Sequence, residues 1–255
     1  KLIDTAVLSC CDAVKFQKRT IDAVYAQEEL VRPRENPFGL TNGDLKRGLE
    51  FGYNEYAEID RYCKEKGIAW FASCWDEGAV DFIAQFDPPC FKISSASLTD
   101  DNLLRYHRKY GKPIILSTGM SDLSLIKHAV SVLGNDDLVI LHCTSTYPSN
   151  YMELNLRGIL RLKEEYPMIP IGYSGHEIGL STTIAAAALG ACVIERHITL
   201  NRAMWGSDQA ASIEPQGVAK MVRDIRVIES AMGNGEIKVY ESEIPIMDKL
   251  RRKLW

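Results

Sequence analysis

Seven short apolar runs recur along the chain, and between them apolar residues fall at three- and four-residue steps. Nearly continuous apolar runs are typical of strands buried on both faces of a parallel sheet, and the wider steps are typical of amphipathic helices. The runs are residues 12–17, 68–74, 90–95, 113–119, 138–145, 169–175 and 192–200. The helical segments are 76–86, 100–110, 121–134, 155–166 and 179–190. This alternation of strand and helix predicts an α/β fold with a parallel sheet.

Residue types at the ends of the helical segments support these boundaries. Asp76, Asp100, Ser121 and Ser181 stand where N-caps are expected, because their side-chain oxygens can accept from free amides of the first turn. Glycines stand where two of the helices should end, at Gly134 and Gly190.

The regular spacing of the strands after residue 68 favours a closed (β/α)8 TIM barrel over a doubly wound sheet. Seven strands are visible and the chain begins in a helical pattern, so we expect the first strand of the barrel to be missing from this chain. Segment 18–67 is too long for one helix. We expect it to extend over the mouth of the barrel, which is the end where the carboxyl ends of the strands lie. No low-complexity linker interrupts the pattern, which predicts one catalytic barrel domain over 1–255.

Composition narrows the class of partner. The net charge is −4 and no long basic run occurs, which argues against nucleic acid. Seven scattered cysteines suit reduced thiols and therefore a cytoplasmic protein, and we find no secretion signal and no apolar stretch long enough to span a membrane. A small molecule is the expected partner.

Polar residues cluster at the predicted strand ends, which would form one mouth in a barrel. They are Lys15, Gln17, Ser73, Lys92, Ser94, Ser95, Ser117, Thr118, His142, Thr144, Ser145, Tyr147, Ser174, His176, Glu195, Arg196 and His197. Two lysines among hydroxyl groups indicate a site for phosphate or carboxylate oxygens. The same lysines could instead lie at the surface or pair with structural carboxylates. Lys92 at a strand end could also be the Schiff-base nucleophile of an aldolase.

Two histidines follow neighbouring strands, at His176 and His197. Neutral imidazoles could jointly hold one divalent metal, or each could be an acid, a base or a structural residue. Strand alternation predicts that Glu195 shares a side with His197, which it could orient unless it forms a structural ion pair, while Arg196 faces the helices. Asp208 is the other acid near the mouth, in a loop where such a residue is also typical of a turn.

The remaining histidines carry less weight. Alternation places His142 and Cys143 on opposite faces, which argues against a Cys–His dyad and leaves Cys143 as a core thiol. His107 and His128 lie in helical segments and are expected to be surface or packing residues.

Nine motifs in order resemble the sialic acid synthase family, the phosphoenolpyruvate-condensing barrel enzymes that make nonulosonic acids. The resemblance covers nearly the whole chain. The motifs are "DAVKFQ", "FGYNEYAEID", "FASCWDE", "FKISSASLTD", "KPIILSTGMS", "LHCTSTYP", "IGYSGHE", "VIERHITL" and "GSDQAAS".

The resemblance implies condensation of phosphoenolpyruvate, water and an open-chain N-acyl-hexosamine, typically N-acetylmannosamine, to N-acetylneuraminate and phosphate. It implies that His176 and His197 hold a divalent metal, manganese first with magnesium or cobalt as alternatives, acting as a Lewis acid on the aldehyde. Phosphoenolpyruvate would be bound by Lys15, Lys92, Ser95, Ser117 and Ser174. The sugar would be faced by Gln17, Tyr147 and Asp208, with Ser145 also in the substrate site. Catalysis is assigned to His176, His197, Lys92, Tyr147 and Asp208.

The chain departs from the family pattern at two positions that bear on acyl-sugar specificity. Ser97 stands where members commonly carry an acid, and Ser145 stands where some carry Asn. A legionaminic or related synthase acting on a 2,4-diacetamido hexose is therefore an alternative. We expect the C-terminal antifreeze-like domain usual in bacterial members to be absent from this chain, and the resemblance implies a homodimer. A Schiff-base aldolase and a non-catalytic barrel that binds an anionic sugar remain as hypotheses of other classes.

Overall fold

The computed structural model describes residues 1–252 as alternating strands and helices. The strands are β1 (Ala13–Lys18), β2 (Pro33–Asn36), β3 (Gly39–Thr41), β4 (Ala69–Cys74), β5 (Phe91–Ile93), β6 (Ile114–Ser117), β7 (Leu138–Cys143), β8 (Ile171–Gly175) and β9 (Ile194–Arg196). The helices are α1 (Leu2–Leu8), α2 (Ile21–Val24), α3 (Gln27–Leu30), α4 (Asn42–Leu49), α5 (Tyr53–Lys66), α6 (Glu77–Ala84), α7 (Asp101–Arg108), α8 (Leu123–Leu133), α9 (Arg157–Glu165), α10 (Ser181–Ala188), α11 (Pro215–Ala231) and α12 (Ile244–Leu250).

The seven predicted strands form one parallel sheet, in the order β1-β4-β5-β6-β7-β8-β9. Each strand of this sheet pairs with the next one along the chain, which is the arrangement expected of repeated strand–helix units. The carboxyl ends of all seven strands therefore lie along the same end of the sheet, which we call its carboxyl edge. Polar residues that follow the strands are brought to that edge.

The sheet is curled enough to bring its two edge strands together through side chains. Lys15 of β1 lies 3.5 Å from Glu195 of β9, measured between Nζ and Oε1. No strand pairing joins β1 to β9 within residues 1–252. The structure thus shows an α/β fold with a curled, open seven-stranded sheet, and the closed eight-stranded barrel stays a prediction.

Two strands are shorter than their apolar runs predicted. The predicted strand 90–95 is limited to β5, because the chain turns into a short 3₁₀ helix at Ser95–Ser97. The predicted strand 192–200 is limited to β9, beyond which Ile198 bridges to Ile213 instead of to β8. Hydropathy alone does not show where an apolar residue leaves the ladder for another partner.

The long segment 18–67 contains four helices and the antiparallel hairpin β2–β3, which the apolar pattern did not predict. Its last helix, α5, packs against β4 through the buried residues Tyr56, Ile59 and Cys63. The hairpin reaches the loop after β9, where the Arg34 guanidinium lies 5.8 Å from the centre of the Trp205 ring. This contact is consistent with the predicted extension over the mouth.

Most of the predicted helix ends are confirmed. Asp76 and Asp100 accept hydrogen bonds from amides of the first turns of α6 and α7, and α8 ends at Gly134 with φ +74°. The prediction for Ser121 was wrong, because the adjacent Asp122 caps α8 by accepting from the Leu125 amide. The prediction for Ser181 was also wrong, because Leu180 holds the N-cap position and Ser181 is the first residue of α10, with no side-chain cap hydrogen bond.

The core lies between the sheet and its helices. Fully buried residues form two clusters along this layer, one that includes Ile93, Ile140 and Ile159 and another that includes Tyr56 and Phe91. Burying each such side chain contributes about 1.5–3 kcal/mol relative to exposing it. Within residues 1–252 no helix is long and apolar enough to cross a membrane.

Candidate active site

Five of the residues at the carboxyl edge of the sheet form one connected group on its inner side, which is the concave side of the curl. We call this group the inner charge cluster. It consists of Lys15, Lys92, Ser117, Ser174 and Glu195. The residues come from five different strands or strand ends, so only the curl of the sheet brings them together.

Lys92 is the most buried member, at 1% exposed. Its ammonium group donates to Ser117 Oγ at 2.7 Å and to the Ile93 carbonyl at 3.0 Å, and it lies 3.9 Å from Glu195 Oε2. Burial lowers the pKa of Lys92 to about 8. The side chain therefore remains mostly protonated at neutral pH and loses its charge about one pH unit higher.

Glu195 connects the two lysines and a serine. Its carboxylate lies 3.5 Å from Lys15 Nζ and accepts from Ser174 Oγ at 3.2 Å. Burial by itself raises the pKa of Glu195, but the charges of Lys15 and Lys92 outweigh it and bring the pKa down to about 2. One carboxylate thus faces two ammonium groups, and the cluster carries an excess of positive charge that an anion would balance.

The two histidines lie side by side at the mouth. The ring centres of His176 and His197 are 5.3 Å apart, and Tyr147 packs on His176 at 4.2 Å and edge-on to His197 at 5.7 Å. His176 Nδ1 is 2.7 Å from the carbonyl oxygen of Thr144. Where Nδ1 donates to this carbonyl, the lone pair of the neutral ring lies on Nε2.

The surroundings shift the pKa values of these aromatic groups. Burial and the charge of Lys15 lower the pKa of His197 to about 4. Burial by itself lowers the pKa of His176, and the adjacent Cys143 thiol reverses the shift, so that this pKa lies above its ordinary value. Burial also raises the pKa of Tyr147, which keeps its hydroxyl protonated.

Asp208 and Gln17 lie at the rim rather than in the cluster. Asp208 Oδ2 is 3.8 Å from His197 Nδ1, and its side chain is about half exposed. The Gln17 side-chain oxygen accepts from the Arg19 guanidinium, which also covers the Trp75 ring at 4.4 Å. Of the residues predicted to face the sugar, Tyr147 and Asp208 are thus about half exposed, whereas Gln17 is half-buried.

Ser95 and Ser145 meet around Cys143, for which the sequence predicts a place in the core. Cys143 Sγ lies 3.7 Å from both serine hydroxyls and 3.8 Å from His176 Nδ1. The Ser95 hydroxyl also accepts from the Gly119 amide at 2.9 Å, and a side chain at Gly119 would collide with both serines. The thiol is buried, as predicted, but it forms part of the wall of the site.

Strand alternation correctly predicts that His142 and Cys143 face opposite ways and that Arg196 faces outward. The prediction that His142 belongs to the ring of polar residues at the mouth was wrong, because its ring contacts the carbonyl of Leu154 at 2.8 Å on the outer side. Arg196 faces outward and pairs with Glu177 at 3.0 Å. His107 is a buried packing residue and His128 pairs with Asp101 at the surface, as expected of helical positions far from the mouth.

Sequence reasoning underestimated two residues of the site. For Glu195 it predicts only a role in orienting His197 or a structural ion pair, whereas the contacts of this carboxylate run to Lys15, Lys92 and Ser174. Alternation was the available signal, since it places Glu195 on the inner side. For Cys143 the same alternation was available, but an apolar thiol in an apolar run does not distinguish a wall of a site from a core.

His176 and His197 have the chemistry of metal ligands. Two imidazoles 5.3 Å apart, one oriented by a backbone carbonyl, suit the partial protein ligation of an open catalytic site. Among residues 1–252 no group of three or more His, Cys, Asp or Glu side chains is arranged to hold a metal ion. The residues therefore fit a metal that takes two ligands from this part of the chain and further ligands from substrate or water.

A curled parallel sheet with an excess of buried positive charge at its carboxyl edge defines an α/β protein whose inner charge cluster has the sign to attract a small anion. Two imidazoles and a tyrosine border the candidate site. The chain belongs to the NeuB family, whose model matches residues 2–237.

Relatives and solved structures agree with this assignment. Human N-acetylneuraminate-9-phosphate synthase is 38% identical over 247 residues, which cover 95% of this chain and 69% of that protein. The N,N'-diacetyllegionaminic acid synthase of Legionella pneumophila is 33% identical, covering 100% of this chain and 74% of that protein. The crystal structure of N-acetylneuraminic acid (sialic acid) synthetase from Leptospira borgpetersenii superposes with a TM-score of 0.84 at 30% identity, covering 98% of this chain and 86% of that one.

Proposed function

We propose that this protein condenses phosphoenolpyruvate with the open-chain aldehyde of an N-acyl-hexosamine, most simply N-acetylmannosamine, and water to give N-acetylneuraminate and phosphate. The observation that carries the proposal is the inner charge cluster, in which two ammonium groups share one carboxylate beside two imidazoles. Family membership and relatives named for synthases of this class support it.

Phosphoenolpyruvate carries a phosphate and a carboxylate, which suit the charge of the cluster. Lys15 and Lys92 would bind these groups together with the hydroxyls of Ser95, Ser117 and Ser174. Ammonium and hydroxyl donors fixed before the ligand arrives stabilise an anion without reorganisation during the reaction. Ser117 accepts from Lys92, which leaves its hydroxyl proton free to donate to the anion. Ser174 donates to Glu195 in the free protein and would turn its proton toward the anion on binding.

The bond changes follow from the chemistry of the enol ether. C3 of phosphoenolpyruvate forms a bond to the aldehyde carbon, water adds to C2, and the C2–O bond to phosphate breaks. Tyr147 at the mouth, together with Gln17 and Asp208 at the rim, would contact the sugar. The positive charge of Lys15 and Lys92 would hold the anionic groups in place while water attacks.

His176 and His197 would hold a divalent metal, which we propose to be manganese, with magnesium or cobalt as alternatives. When bound, such an ion supplies Lewis-acid polarisation of the aldehyde oxygen. The chain's own contribution is to orient the His176 ring through the Thr144 carbonyl and to keep His197 neutral.

The test is phosphate release from phosphoenolpyruvate by the full chain, with N-acetylmannosamine and manganese, beside an EDTA-treated sample. We expect release that depends on the sugar and is abolished by EDTA. No release with this sugar but release with a 2,4-diacetamido hexose would assign the chain to legionaminic-type synthesis instead. No release with either sugar would overturn the proposal in favour of a binding protein.

A second arm addresses the aldolase hypothesis for Lys92. Borohydride in the presence of a keto acid should leave no covalent adduct if Lys92 only binds anions. An adduct at Lys92 would show Schiff-base chemistry and contradict the condensation mechanism.

His176→Ala separates the histidine's role from folding. We expect phosphate release to fall by about a thousandfold or more with little change in the melting temperature, because the ring, although buried, borders the candidate site and belongs to no apolar core cluster. Full activity in this variant would contradict the assignment. Location in the cytoplasm and assembly as a homodimer remain part of the proposal, and size-exclusion chromatography tests the latter.

A further inference from the structure

We infer that the buried ion pair of Arg196 and Glu177, the outer ion pair, positions the two active-site histidines relative to each other. The inference rests on the proposed function in taking His176 and His197 as the working groups. Arg196 immediately precedes His197, and Glu177 immediately follows His176. The pair lies on the outer side of the sheet, so its members are positioning residues and not catalytic ones.

Strand pairing ends just before the histidines. The last paired residues of β8 and β9 are Gly175 and Arg196. His176 and His197 are each one residue beyond this point, where ladder hydrogen bonds no longer fix the distance between the two chains. Any link between the two segments here must come from side chains.

The outer ion pair supplies this link. Arg196 Nη1 lies 3.0 Å from Glu177 Oε1, and Arg196 also donates to the backbone carbonyls of Glu177 and Gly179. The side chains are 1% and 0% exposed. A planar guanidinium that holds a carboxylate and two carbonyls at once fixes both distance and direction.

Glu177 is fully held by its neighbours. Oε1 accepts from Thr182 and Thr183 at 2.8 Å each, and Oε2 accepts from the Tyr173 hydroxyl at 2.9 Å. Because both carboxylate oxygens accept hydrogen bonds from several donors, the position of the Glu177 side chain is fixed. A buried ion pair of this kind contributes more to a unique arrangement of the surrounding segments than to net stability. The pair thus ties β8, β9 and α10 together behind the histidines.

Gly175 leaves space for the Arg196 side chain to reach Glu177. A Cβ at this position would lie 2.6 Å from Glu177 Oε2 and 3.0 Å from Arg196 Cδ. Only a residue without a side chain lets the arginine pass from β9 to the Glu177 carboxylate. The close approach is therefore built into the strand end itself.

Each histidine is also anchored locally. The His176 carbonyl accepts from the Ser149 amide at 3.0 Å, and the His197 carbonyl accepts from the Ile213 amide at 2.8 Å. These bonds hold each histidine to a different neighbouring segment. The outer ion pair joins the segment that carries His176 to the segment that carries His197, and so sets the 5.3 Å separation of the two ring centres.

The experiment compares Arg196→Met and the double variant Glu177→Gln/Arg196→Met with the wild type. Lys18→Met is the matched control, because Lys18 and Glu50 form another largely buried ion pair at the carboxyl end of a strand. The other contacts of the Lys18 ammonium group are with the Phe51 carbonyl and the rings of Tyr56 and Phe82, and not with either histidine. The readouts are the melting temperature, the affinity for Mn²⁺ alone followed by electron paramagnetic resonance, and the separation of the two imidazole rings in crystals.

We expect Arg196→Met to lower both the melting temperature and the Mn²⁺ affinity, the latter by about tenfold or more, as for other residues that orient ligands. The double variant should recover stability, because no uncompensated charge stays buried, but not Mn²⁺ affinity. Lys18→Met should lose stability and keep its Mn²⁺ affinity. The ring separation should differ from 5.3 Å by about 1 Å or more in both Arg196 variants and not in the control.

Wild-type Mn²⁺ affinity and ring separation in the double variant would overturn the inference and leave the pair a purely structural element. If the wild type binds no Mn²⁺, the metal proposal fails and the ring separation alone decides. If the wild type releases no phosphate, the proposed function fails while both readouts still decide the positioning role.

Discussion

Glu195 and Arg196 are consecutive residues of β9 and lie in two buried charge clusters on opposite sides of the sheet. The outer ion pair is balanced, since one guanidinium meets one carboxylate whose oxygens are filled by Thr182, Thr183 and Tyr173. The inner charge cluster is unbalanced, since two lysines share Glu195. Burial is costly for any charge, so an uncompensated one indicates a site prepared for a ligand, whereas a compensated one indicates a structural link.

The largest expected effect comes from removing charge on the inner side. Lys92→Met should reduce phosphate release by about a thousandfold, because the buried ammonium is lost from the proposed binding site for the anion. Its unfolding free energy should stay the same or rise by up to about 3 kcal/mol, since the lowered pKa of Lys92 reflects a cost of burying its charge. Urea denaturation and phosphate assays measure the two quantities. A large loss of stability would make Lys92 a structural residue like Arg196.

A smaller effect is expected when the outer side is disturbed sterically. Gly175→Ala should lower the unfolding free energy by about 1–3 kcal/mol, because its Cβ would displace Glu177 and Arg196. Gly52→Ala is the matched control, since there a Cβ meets only the flexible end of Glu55 at 3.2 Å and φ is −91°. Equal denaturation midpoints for the two variants would show that the outer ion pair tolerates rearrangement.

The smallest effect is the pH dependence of the inner charge cluster. Lys92 is charged below its pKa of about 8 and neutral above it, so KM for phosphoenolpyruvate should rise by up to about tenfold per pH unit above pH 8. Because this pKa lies below the ordinary value of 10.5, the unfolding free energy should also rise between about pH 8 and 10.5 relative to Lys92→Met. Parallel pH profiles in wild type and variant would assign the titration to another group.

The order of elements was accessible from the sequence. Apolar runs located the seven strands of the sheet, and the residues Asp76 and Asp100 correctly marked helix starts. The hairpin β2–β3 was not predicted, because its strands are short and largely exposed and carry no apolar pattern. Hydrophobic periodicity identifies segments that bury apolar side chains, and an exposed hairpin buries few of them.

The candidate site was also predictable in part, because strand alternation and motifs are local features of the sequence. Alternation along β9 is enough to place Glu195 inside and Arg196 outside, and motif resemblance selects His176 and His197. The role of Cys143 as a wall of the site was not predictable. Its neighbours Ser95 and His176 come from other strands, and their approach depends on how the sheet curls.

The sequence by itself thus determined the strand–helix order, the face on which each strand residue lies and the types of polar group at the strand ends, because these depend on periodicities of two and 3.6 residues along one segment. The tertiary structure decided which groups meet. Lys15 and Glu195 are 180 residues apart in the chain and 3.5 Å apart in space. Their contact, and with it the unbalanced charge of the site, arises from the curl and register of the whole sheet, which no local pattern encodes.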